Sequence, residues 1–196
     1  MFVHIRLLAA FLLISTAGFA QISPREFLGF TPADDKTIAD WKQITDYFAK
    51  LDEQSPKIAV REIGRSTLGR PLIVAFISSQ ENIKRLTRYR EINQKLADPR
   101  RISGGAELGR LLSEGKAIVS ISCSIHSTEI VASQMSMQLA YELVTANDPE
   151  TLEILRNTIL LLIPSPNPDG IDIVANWYRK TLGTKSEGTT PPELYH

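Results

Sequence analysis

Ala117-Ile118-Val119-Ser120-Ile121-Ser122-Cys123-Ser124-Ile125-His126-Ser127-Thr128-Glu129 is the stretch that decides the fold. Its first six residues form an apolar, β-branched run that reads as a buried strand. The segment that follows, Ile130 to Val144, has the spacing of an amphipathic helix, with Val131, Met135, Leu139 and Leu143 as its expected core stripe. His126 and Glu129 therefore sit where a strand gives way to a helix. In open α/β sheets ligand sites collect at the carboxyl ends of the strands. An imidazole and a carboxylate are donors that zinc accepts. Taken singly, each residue has a plainer reading: His126 as a hydrogen-bonded histidine, and Glu129 as a carboxylate favoured by the dipole of a first helical turn.

A second apolar run lies downstream. Asp148-Pro149 opens a helix to Asn157, and Thr158 to Ile163 reads as another buried strand. Two such strands joined by a helical crossover form a parallel pair with a right-handed connection. Their carboxyl ends then share one rim, which brings His126 and Glu129 beside the loop Pro164-Ser165-Pro166-Asn167-Pro168-Asp169-Gly170. The fold class is α/β, a mixed, largely parallel sheet flanked by helices.

Upstream, residues 21–30 read as a loose segment, and Thr31-Pro32 as the start of a helix carrying Ile38, Trp41, Ile44, Phe48 and Leu51. Ile58–Ile63 and Leu72–Ser78 read as a hairpin around the Gly- and Pro-containing stretch 64–71. Glu81 to Leu96 reads as one charged helix and Glu107 to Glu114 as a short one.

The 196 residues are 43% hydrophobic, with 22 basic against 22 acidic side chains, so no bulk field favours nucleic acid or an anionic membrane. Residues 1–20 resemble an export signal: Arg6 supplies the charge, Leu7–Ile14 the apolar run and Gly18-Phe19-Ala20 a cleavage site. The run is short for a bilayer span, so no stable membrane insertion is expected after its removal, and the destination is periplasmic or secreted. Cys123 is the sole cysteine, which excludes an intrachain disulfide. No Gly-x-Ser-x-Gly elbow, phosphate-binding Gly-x-x-x-x-Gly-Lys loop or His-Glu-x-x-His helix occurs. Cys123 and His126 are neighbours on one strand end and make a poor nucleophilic pair.

Four separated motifs carry a resemblance. Ile63-Gly64-Arg65-Ser66-Thr67-Leu68-Gly69-Arg70-Pro71-Leu72, His126-Ser127-Thr128-Glu129, Asn167-Pro168-Asp169-Gly170 and Tyr178-Arg179-Lys180-Thr181 occur in the order seen in the zinc carboxypeptidase family, typified by pancreatic carboxypeptidase A. The resemblance implies an eight-stranded mixed sheet between helices, catalytic Zn2+ held by His126 and Glu129, and Arg179 polarising the scissile carbonyl. It implies a peptide or cell-wall stem peptide as substrate, cleaved at its C-terminal bond. A deacylase of acyl-amino acids and a catalytically dead binding protein are the alternatives on the same scaffold. Thr128 stands where the pancreatic enzymes carry Arg. The family's third zinc ligand and general-base Glu lie beyond His196, so residues 21–196 are expected to be the N-terminal portion of the catalytic domain. His196 follows too soon to be that ligand.

Overall fold

The computed structural model describes residues 20–194. The export signal expected over residues 1–20 lies outside them except for Ala20, and so does His196. The hairpin forms as expected: β1 (Ile58–Arg65) pairs antiparallel with β2 (Pro71–Ile77), with an irregularity between Glu62 and Gly64. Its turn is closed by Ser66 N donating to Arg70 O at 2.9 Å and Gly69 N to Ser66 O at 3.0 Å. Gly69 has φ +81°, a left-handed conformation that a side chain would resist. β3 (Ala117–Ser122) and β4 (Thr158–Ile163) form the expected parallel pair, joined through α6 (Ile130–Thr145) and α7 (Pro149–Asn157). β2 pairs antiparallel with β4, so the order is β1-β2-β4-β3 in a mixed four-stranded sheet.

Strand side chains alternate between two faces. Ile58, Ile73, Ala75, Ile77, Leu160 and Leu162 face one side, where α2 (Trp41–Gln54) and α6 bury Ile44, Tyr47, Phe48, Leu51, Met137, Ala140 and Val144. Complete burial of each large side chain there contributes about 1.5–3 kcal/mol. Ile159 faces the other side, against Tyr89 and Ile92 of α4 (Leu86–Ala97) and Leu111 of α5 (Gly105–Glu114). Helices thus cover both faces, as an α/β fold requires.

The structure corrects several local expectations. Residues 21–30 contain a helix, α1 (Pro24–Leu28), made possible by a reciprocal cap: Ser23 Oγ accepts from Glu26 N while Glu26 Oε2 accepts from Ser23 N. Thr31-Pro32 does not start α2. Ala33 and Lys36 have positive φ (73° and 57°), which breaks any helix there, and Asp40 with Gln43 forms the capping box that starts it at Trp41. The charged helix is two, α3 (Gln80–Lys84) and α4, separated at Arg85, whose φ of −112° is not helical.

On α6, a strict four-residue stripe cannot keep one face because a helix turns every 3.6 residues: Leu139 and Leu143 pack against the core, but the earlier half of the stripe does not. Met137, Ala140 and Val144 are buried instead, and Val131 and Met135 are 48% exposed. β3 is not buried. It is one of the two edge strands among the described residues, and all six of its residues are exposed. An apolar run identifies a strand but says nothing about how many neighbours cover it. Finally, the loop expected through Gly170 ends early: Asn167 caps α8 (Pro168–Thr181), with Pro168 at its first position.

Candidate metal site

The site is the turn between β3 and α6. Cys123 N donates to Ile163 O at 3.0 Å, extending the β3–β4 pairing one step beyond the strands. The chain then reverses at Ser124, which is 4% exposed with φ +47°. A left-handed conformation is costly for a residue with a Cβ, and such strain concentrates at functional sites. The Ser124 hydroxyl offsets the cost by donating to Glu129 O at 2.7 Å and accepting from Ser133 N at 2.9 Å. Glu129 N donates to His126 O at 2.9 Å, which closes the turn. One small buried hydroxyl therefore ties the entry to the turn at Ser124 to its Glu129 end.

The neighbouring β4–α8 loop braces this turn from the side, on the shared rim. Ser165 Oγ donates to Ser124 O at 2.9 Å and Asn167 Nδ2 donates to Ile125 O at 3.3 Å. Gly170 lies so near that a Cβ on it would be 2.5 Å from Ser127 Cβ.

His126 and Glu129 are both exposed on this braced turn. Neither side chain has a hydrogen bond or ion pair among the described residues. Glu129 occupies the N-cap position of α6 yet makes no side-chain capping bond, so its carboxylate is not used to cap the helix. The donor types, one nitrogen and one oxygen, fit zinc. Among the described residues no three His, Cys, Asp or Glu gather.

Arg179 is not brought to this turn. It lies nine residues past Gly170 on α8, which is half a turn out of phase and about 13 Å along the axis. Its guanidinium instead bonds Asp40 Oδ2 at 2.8 Å, Ile38 O at 3.0 Å and Gln43 Oε1 at 2.9 Å. It thereby fastens α8 to the start of α2. Cys123 packs against the main core, and burial pushes its thiol pKa up, which disfavours the nucleophilic thiolate.

Sequence reasoning did not reveal the contact between the hairpin turn and α8. Asp169 Oδ1 accepts from Ser66 Oγ at 2.7 Å and from Arg70 Nη1 at 2.8 Å, and Asp169 Oδ2 accepts from Leu68 N at 3.0 Å. Arg70 Nε also donates to Asp172, whose other oxygen accepts from Trp41 N at 2.8 Å. Desolvation would raise the Asp169 carboxyl, but the bonds from Ser66, Leu68 and Arg70 outweigh it and hold it below the usual carboxylate range. These residues lie inside two motifs visible in the sequence, but a separation of about a hundred positions hides their contact.

A mixed α/β sheet with an His-x-x-Glu turn at the carboxyl ends of parallel strands defines the class. A match to the family described as zinc carboxypeptidase covers residues 44–191, and the chain belongs to that family. Carboxypeptidase E of Caenorhabditis elegans is 26% identical over 168 residues, covering 80% of this chain and 30% of that protein. The crystal structure of thrombin activatable fibrinolysis inhibitor superimposes with a TM-score of 0.51 at 15% identity, covering 78% of this chain and 31% of that one. Carboxypeptidase A from Helicoverpa armigera gives 0.49 at 18% identity, with 82% and 32% covered. The chain thus spans about a third of the length of these relatives. Among the described residues no helix is long and apolar enough to cross a membrane.

Proposed function

We propose that the protein is an exported zinc metallocarboxypeptidase that hydrolyses the C-terminal peptide bond of peptides or cell-wall stem peptides. His126 and Glu129 are two of its zinc ligands in this reading. The observation that carries it is the pair of uncommitted donors, exposed on a turn that Ser124 ties from within and that Ser165 and Asn167 brace from the β4–α8 loop. Zinc bound there would supply a Lewis acid for the peptide carbonyl and a bound water of lowered pKa. The chain's own part is to hold the two ligands in a fixed orientation at an open rim. The test is release of C-terminal residues from peptides by the intact protein, lost with a chelator and restored by zinc. Acyl-amino acids cleaved in preference to peptides would overturn the peptidase reading.

For Arg179 the family resemblance implies a donor to the scissile carbonyl, whereas its bonds to Asp40, Ile38 and Gln43 favour a fastening role. Arg179→Ala separates the two. A carbonyl donor keeps the melting temperature and loses on the order of 10²–10³ in kcat. A fastener loses melting temperature and keeps kcat. The three bonds lead us to expect the second result, read by thermal denaturation beside steady-state kinetics.

Residues 21–196 alone should hold zinc weakly, because the described part gathers no third ligand and catalytic zinc sites use three protein ligands. A calorimetric titration of that segment checks this, and tight one-to-one zinc binding would refute it.

A further inference from the structure

We infer that Asp169 is a positioning residue for the His126–Glu129 turn, acting through the first turn of α8. The inference rests on the metal-site reading above for its functional meaning, but the mechanical link stands on its own bonds.

The first turn of α8 is held from two sides. On one side Asp169 takes three donors from the hairpin turn, Ser66 Oγ, Leu68 N and Arg70 Nη1, at 2.7, 3.0 and 2.8 Å. Arg70 N in turn donates to Ser66 Oγ at 3.0 Å, so the hairpin turn is itself braced where Asp169 grips it. The Asp169 and Arg70 side chains are 16% and 28% exposed, so much of each is withdrawn from water and screening is reduced. On the other side of the same helical turn, Asn167 Nδ2 reaches Ile125 O and Gly170 abuts Ser127. Ile125 and Ser127 flank His126.

The segment 167–170 is short and stiff. Asn167 Oδ1 accepts from Gly170 N at 3.1 Å, and Pro168 fixes its own φ. A shift at Asp169 is therefore carried to Asn167 and Gly170, and from there to the residues on either side of His126. Without the Asp169 carboxylate, Leu68 N and two side-chain donors lose their acceptor. The α8 terminus is then free to move from the metal turn. Outer groups that orient metal ligands typically account for 10–100-fold in metal affinity.

The experiment uses the intact protein with Asp169→Ala, and Ile92→Val as the control. Ile92 is fully buried in the core cluster on the opposite sheet face, so its truncation lowers stability without touching α8. Two readouts are taken well below the melting temperature: zinc affinity by chelator competition, and amide exchange at Glu129, Ala132 and Ser133. Asp169→Ala should weaken zinc about 10–100-fold and speed exchange at those three amides. Ile92→Val should leave both at wild-type values. Should the alanine variant fail to fold, Asp169→Asn is read the same way, since its single amide oxygen can accept on the Leu68 side or on the Ser66 and Arg70 side but not on both. Wild-type exchange at the turn in the Asp169 variant overturns the inference, as does an equal effect from Ile92→Val. If the wild-type protein binds no zinc, the metal-site reading fails while exchange still decides the link.

Discussion

Gly170→Ala is expected to lower stability by about 1–3 kcal/mol, the usual cost of overpacking a filled site, and to weaken zinc binding as well. An added Cβ would stand 2.5 Å from Ser127 Cβ, 2.6 Å from Ser127 Oγ and 2.7 Å from Asn167 Nδ2. Ser127 is 3% exposed, and its Cβ, the nearest atom, is fixed to the backbone and cannot rotate away. The cost is one of space, so α8 must back away or the His126–Glu129 turn must move. Chemical denaturation and zinc titration of the variant measure both effects. Unchanged stability would mean that the α8–turn contact is looser than the structure shows.

His126→Ala and Glu129→Ala should each abolish stoichiometric zinc binding. A catalytic zinc normally has three protein ligands and one open position, so loss of a ligand leaves too few. The metal-free proteins should nevertheless match wild type to within about 0.5 kcal/mol, as surface substitutions away from special features usually do. Both side chains are exposed and have no partner among the described residues. The two readouts together separate a ligand from a structural residue: zinc content falls while metal-free stability holds. Zinc near one per chain in either variant would remove that residue from the ligand set.

The parts of the fold that were legible in the sequence are those written in local chemistry. The hairpin followed from two glycines and a proline between apolar runs, and the β3–β4 pair from two such runs joined by helices. The rim carrying His126, Glu129 and Asn167 followed from the parallel pairing. What could not be read depends on tertiary neighbours. The composition of β3 predicts burial, but its position at an edge of the sheet among the described residues leaves Ile118, Val119 and Ile121 at 41%, 44% and 38% exposure. Pro32 favours a helix start at Thr31-Pro32, whereas the Asp40–Gln43 capping box sets the start of α2 at Trp41. Ser124 gave no signal, since a serine that turns the chain left-handed looks like any other serine. Arg179 stood in a motif, but the helix that carries it points it at Asp40.

Catalytic zinc on the His126–Glu129 turn would be visible to anomalous diffraction at the zinc edge from crystals of the intact protein. One strong peak is expected within bonding distance of both side chains, at about 2.0–2.1 Å from an imidazole nitrogen of His126 and about 2.0–2.2 Å from a carboxylate oxygen of Glu129. A zinc peak elsewhere, with both side chains free of metal, would contradict it.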